Sequence, residues 1–191
     1  MTVARRTKLT IAAGVAVMTL GLFALMAAGS HVTQSQAAGC ANAKAKPNEA
    51  TVKEFRKAIV CLLQKERAQR GIPTLRKRQG LQSVAQKHSK VMVNQDCFRH
   101  TCSGEAGLKK RLVRSGYLKG ADAYAYGELI GYEATPRRMV NAWLDSGPHR
   151  GRMFSRRYAH IGGGAAKGAP VEGKPDSAFV TYTVIFGDVK R

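Results

Sequence analysis

YGELIGYEATPRRMVNAWLDSGPHR, Tyr126 to Arg150, sets a glutamate after a glycine, then a tryptophan-bearing run, then a histidine after Ser-Gly-Pro. Thr135 suits a helix N-cap, because its hydroxyl can accept from an early unpaired N–H. Pro136 suits the first helical position, where a missing N–H costs nothing. The spacing carries Met139, Val140 and Trp143 along one face toward a core, so Trp143 reads as a core anchor rather than a ligand platform. The stretch is thus a helix with one chemically capable residue on each flank, Glu128 and His149. Its role depends on what the rest of the chain brings beside them.

Upstream, Val52, Phe55, Ile59, Leu62 and Leu63 recur at helical spacing across residues 51–70, and Gly71 with Pro73 ends the pattern. A second helix is expected over 79–95, with Leu81, Val84, Ala85, His88, Val91 and Met92 on one face. On that face His88 reads as a buried, hydrogen-bonded core histidine. A third, shorter helix is expected over 105–116, with Gly116 as its C-cap. Downstream the period drops to two. AHIGGGAA (159–166) and SAFVTYTVIFGD (177–188) read as paired strands, Phe179, Thr181 and Thr183 alternating with Val180, Tyr182 and Val184. Helices first and an antiparallel hairpin last indicate an α+β domain.

The N-terminus has a different purpose. A basic ARRTK (4–8), an apolar run over 9–28 and small residues in SQA (35–37) read as a secretory signal over residues 1–37. The apolar run is also long enough to span a bilayer, so an uncleaved anchor with its basic end inside is the alternative. Lipidation at Cys40 fits less well, because Ala37 stands where a lipobox has leucine. Residues 38–50 read as a polar arm or linker, and 51–191 as one domain, secreted or held at the cell envelope.

Cys40, Cys61, Cys97 and Cys102 are an even set, as export to an oxidising compartment favours. Of the three pairings, Cys40–Cys61 would tether the arm to the first helix and Cys97–Cys102 would close a short loop. A zinc site is the rival use of four cysteines, but no CxxC spacing occurs. The net charge of +20, from 32 Lys+Arg against 12 Asp+Glu, favours anionic partners such as wall polymers or lipid head groups. It is equally what a highly soluble surface carries. The basic residues concentrate in LRKR (75–78), KKRLVR (109–114) and RGRMFSRR (150–157). The last run, with Arg150, Arg152, Arg156 and Arg157, begins directly after His149. Nucleic acid as the main partner is not expected, since no recognised motif occurs and aromatics do not interleave with these cations.

FRHT (98–101), YGEL (126–129) and WLDSGPHR (143–150), together with LLQKERAQRGIPTL and HSKVM, resemble the CAP superfamily of cysteine-rich secretory, antigen 5 and pathogenesis-related proteins in its short bacterial form. The resemblance covers residues 60–187. It implies a three-layer α-β-α sandwich with a small, mostly antiparallel sheet and an open cleft holding two histidines and two acids. Residue by residue, His100 after Phe98 matches the family's first histidine, Glu128 after Gly127 its glutamate and His149 its second histidine. Leu129 replaces the asparagine that follows the glutamate, removing an amide able to hold it. Ser-Gly-Pro-His reverses the usual Pro-Gly order. Ser146 stands where other members have the second acid, and Asp145, one residue off, points about 100° away on a helix, so the tetrad is at best a triad. His160 stands where bacterial relatives often have a carboxylate.

Two neutral imidazoles and a carboxylate can take up Zn²⁺ or another divalent cation, or a small ligand, and leave positions open. The enzymatic alternative is a metal-activated water with Glu128 as base, hydrolysing wall polymer or protein. No HExxH occurs, and Ser146 has no assigned orienting acid. A polar cluster that only ties loops together is the structural alternative.

Overall fold

The computed structural model describes residues 39–191, so the secretory signal read over 1–37 lies outside the described residues. Helix α1, Val52–Ala68, begins in a capping box: the Glu54 N–H donates to the Thr51 hydroxyl and the Glu54 carboxylate accepts from the Thr51 N–H at 2.7 Å. A two-residue strand β1 (Arg76–Lys77), α2 (Gln79–Asn94), α3 (Leu108–Arg114) and β2 (Ala123–Glu133) follow. The chain ends with α4 (Pro136–Asp145), α5 (Gly147–Phe154), β3 (His160–Lys167) and β4 (Val180–Lys190). As read from the sequence, Thr135 caps α4, accepting from the Arg138 N–H, with Pro136 in its first turn.

The four strands form one sheet in the order β1-β3-β4-β2, with β1 parallel to β3 and the other pairs antiparallel. Helices cover both faces, α1, α4 and α5 on one side and α2 with α3 on the other, giving the α-β-α sandwich that the resemblance implied. Alternation along β4 feeds both layers. Val180, Tyr182, Val184 and Phe186 pack with Phe55, Ile59, Leu62 and Trp143. On the opposite face Ile185 packs with Leu81, Val84 and Ala85, and Ser89 donates a hydrogen bond to the Thr183 hydroxyl at 2.9 Å. Burying each large apolar side chain stabilises the fold by about 1.5–3 kcal/mol before conformational entropy is charged against it.

The glycine triplet in β3 lets both helical layers close on the strand. A Cβ on Gly162 or Gly164 would run into the α2 backbone at Leu81 or Ala85, and one on Gly163 would meet Val60 of α1. The backbone of Ala85 has no flexible end to yield. Gly164→Ala is therefore expected to cost about 1–3 kcal/mol by overpacking, read as a lower urea midpoint. An unchanged midpoint would refute this close approach.

Three elements depart from the sequence reading. The turn expected at Ser-Gly-Pro opens a fifth helix, because Ser146 ends α4 and starts α5, and Pro148 occupies a first turn whose N–H groups have no helical partner anyway. Residues 123–133 form the edge strand β2. LRKR contributes β1, so Arg76 is part of the sheet rather than only surface charge. The arm is fastened to the domain: Cys40–Cys61 ties it to α1 with 5.8 Å between Cα atoms, and the Arg137 N–H donates to the Ala43 carbonyl at 2.8 Å.

Candidate functional site

His100 lies in the loop between α2 and α3, inside the short ring closed by Cys97–Cys102. Both expected disulfides are present, and this one limits the freedom of the segment that presents the histidine. Glu128 sits mid-strand in β2 opposite Ile185, on the face toward α2 and α3. A Cβ on its neighbour Gly127 would lie 2.5 Å from the Tyr158 hydroxyl, so any larger residue there would push that ring aside. The two side chains meet: His100 Nδ1 is 2.7 Å from Glu128 Oε2, with the imidazole 57% exposed and the carboxylate 3%.

A carboxylate this buried needs compensation. Arg111 of α3 supplies it, donating from Nη2 to Glu128 Oε1 at 3.3 Å and to the His100 carbonyl at 2.8 Å. The same guanidinium lies 3.5 Å from Glu105, which holds His88 Nδ1 at 2.8 Å and accepts from the Cys102 N–H. One buried chain, His88–Glu105–Arg111–Glu128–His100, thus backs the exposed histidine. His88 is buried and hydrogen-bonded, as read from the sequence. Arg111 and Glu105 were not identified there: KKRLVR reads as surface charge, and only the placement of α3 turns Arg111 inward with Leu112. Leu129 is likewise explained. It packs in the core on the α1 and α4 side, so a side chain at that position points away from Glu128, and Arg111 does the holding.

His149 comes from the first turn of α5, in the other helical layer. Its Nδ1 is buried without a hydrogen-bond partner. Burial first, then Arg152 and His100, lower its pKa below the usual histidine value, so the ring is neutral at neutral pH. Arg150, Arg152, Arg156 and Arg157 follow it in the chain and are all exposed, Arg156 donating to the Gly71 carbonyl at 3.2 Å. Asp145, the last residue of α4, is exposed and takes no part.

His160 belongs elsewhere. It is buried in β3, with Nδ1 2.9 Å from the Tyr117 hydroxyl and Nε2 3.4 Å from Arg76 Nη2. An arginine can only donate, so Nε2 accepts and the neutral ring donates from Nδ1. A neutral imidazole here can bridge a hydroxyl and a guanidinium at once, which accounts for histidine at this position. Burial, then Arg78 and Arg76, lower its pKa. The unfolded chain therefore takes up the proton first. Stability is fully present above the unfolded imidazole value of about 6.5 and is lost as pH falls through the lower folded value. His149 adds the same sign. His160→Asn should show a shallower pH dependence of urea unfolding, and a curve parallel to wild type would remove His160 from this account.

The donor set limits what a metal could find. Both Glu128 oxygens are engaged, by His100 and Arg111. Among the described residues no group of three or more His, Cys, Asp or Glu side chains is arranged to hold a metal ion. Glu128 is thus placed to orient the His100 ring through Nδ1 and leaves the ring's Nε2 outside that contact.

An α-β-α sandwich with this histidine–glutamate pair defines a class of small domains, and comparison identifies it. The chain matches the model of CAP, the cysteine-rich secretory protein family, over residues 50–186, and belongs to that family. Among solved structures it resembles an outer surface protein from Borrelia burgdorferi, with a TM-score of 0.60 and 21% identity over 74% of this chain and 97% of that one. It also resembles an extracellular SCP-domain protein from Bacillus anthracis, with a TM-score of 0.56 and 23% identity over 74% of this chain and 44% of that longer one. These likenesses establish the fold. No curated protein matches in sequence. No helix among the described residues is long and apolar enough to cross a membrane.

Proposed function

We propose that the protein is an exported binding module in which His100 and His149 form a two-imidazole site for a divalent transition-metal cation. One observation carries this reading: His149 keeps a neutral ring with an unpartnered Nδ1, while His100 has its Nδ1 anchored on a buried carboxylate and its Nε2 free. Metal-ligating histidines are commonly oriented through their other nitrogen by such a carboxylate. A cation held by two imidazoles keeps positions open, and a small oxygen or nitrogen donor can complete them. The exposed arginines after His149 favour anionic wall or lipid components, with retention on wall material falling steeply as salt rises. Export is supported by the leader-like N-terminus, the two disulfides and the extracellular SCP-domain protein among the structural neighbours. The hydrolytic alternative is less well supported, because a general base must be free to take a proton and Glu128 is already paired with Arg111 and His100.

Calorimetric titration of the full chain with Zn²⁺ tests the reading. Saturable one-to-one binding is expected, lost in His100→Ala/His149→Ala and weakened about 10–100-fold in Glu128→Gln. Affinity should fall as pH drops below about 6.5, since a protonated imidazole cannot ligate. Equal binding by wild type and the double variant, or none by either, would refute it.

A further inference from the structure

Beside the buried chain, α2, α3 and the loop over residues 103–106 line an open cavity of about 460 Å³, within the range of small-molecule sites. Ser83, Lys87, Ser103, Glu105, Arg111 and Arg114 are among its walls. Three cations thus face one carboxylate, and that carboxylate is already engaged by His88, the Cys102 N–H and Arg111. Lys87 and Arg114 are exposed, one from each helix. Arg111 forms part of the wall between them. It is more than nine-tenths buried, yet its Nε and Nη1 have no hydrogen-bond partner, Glu105 standing 3.5 Å off at ion-pair distance. Those N–H groups are closed off from solvent and lean on Glu105, so the cations left to meet a ligand in the cavity are Lys87 and Arg114.

We propose that this cavity is a second binding site, for a small phosphate-bearing polyanion, distinct from the His100–His149 cleft. The chemistry selects that class. Cations on two separate helices and the Ser103 hydroxyl match an anion with many oxygens spread over several ångströms. A single carboxylate would satisfy only one of them. A cation would meet net repulsion, and an apolar ligand would strip water from Lys87 and Arg114 without return. The feature is also more specific than the general basicity of the chain, because concavity, the Ser103 hydroxyl and cations from two helices coincide here.

The test is titration of the full chain with inorganic pyrophosphate in about 0.15 M salt, where contacts between exposed charges more than about 8 Å apart are screened. Saturable one-to-one binding is expected. Lys87→Glu/Arg114→Glu, both at exposed positions that leave the core intact, should weaken it at least about tenfold, as loss of two charge-assisted contacts requires. Lys53→Glu/Lys57→Glu makes the same charge change on exposed residues of α1 that are not among the cavity's walls, and should leave the affinity within about twofold, since exposed charges without direct contact are largely screened at this salt. No saturable binding, or equal weakening by both pairs, would overturn the proposal, the latter by reducing the effect to net charge. Unchanged thermal midpoints in both variants keep the comparison free of folding defects.

Discussion

Arg111→Leu should lower folding stability by about 3–5 kcal/mol at neutral pH, the usual cost of removing one partner from a buried ion pair. The reason is the two carboxylates that depend on it. Glu128 is 3% exposed and Glu105 9%, and Arg111 is the shared cation between them. Leucine is apolar enough for the position, so the loss is chiefly electrostatic. A carboxylate stripped of its cation escapes the cost by taking up a proton, and the deficit of the variant should shrink as pH is lowered. The hydrogen bond to the His100 carbonyl goes too, so the loop carrying the cleft histidine should exchange its amides faster. Urea unfolding at two pH values measures the first effect and hydrogen exchange the second. A pH-independent loss would mean that Arg111 serves packing rather than charge.

Arg67→Ala is the other large effect, expected at about 3–5 kcal/mol, because several buried carbonyls lose their donor at about 1–3 kcal/mol each and a cavity opens. Arg67 is 1% exposed at the end of α1 and has no carboxylate partner among the described residues. Its guanidinium donates instead to the carbonyls of Pro73 at 3.0 Å, Met153 at 2.7 Å and Ser155 at 3.0 Å. Burial, then repulsion from Arg156, lowers its pKa, yet an arginine remains charged at any working pH. Three segments are thereby fastened together: α1, the loop before β1 and the C-terminal end of α5. Arg67→Lys should recover only part of the loss, because an ammonium lacks the planar fork that reaches carbonyls on two sides. Full recovery by lysine in thermal unfolding would count against this geometry.

Both arginines mark the boundary of what the sequence discloses. In the sequence Arg67 and Arg111 belong to basic stretches and look like surface charge. The partners that pull them inward lie far away along the chain: Met153 and Ser155 are 86 and 88 residues from Arg67, and Glu128 is 17 from Arg111. The edge strand over residues 123–133 was missed for a related reason. Its alternation is regular, but the face bearing Tyr124, Tyr126, Glu128, Ile130 and Tyr132 mixes polar and apolar side chains, so no clean hydrophobic period appears. His100, Glu128 and His149 were legible through motif order and resemblance. That His100 and Glu128 touch, and that Arg111 rather than residue 129 holds the glutamate, was not.

Local physics, acting over a few residues, was readable from the chain alone. The Thr135 cap, the proline-primed start of α4, the apolar faces of α1 and α2 and the alternation in β4 each depend on neighbours three or four residues away at most. The tertiary structure decided which charges are buried and which face the solvent. Burying a carboxylate or a guanidinium is unfavourable until distant groups arrive to compensate it, and only the closed sandwich brings them there.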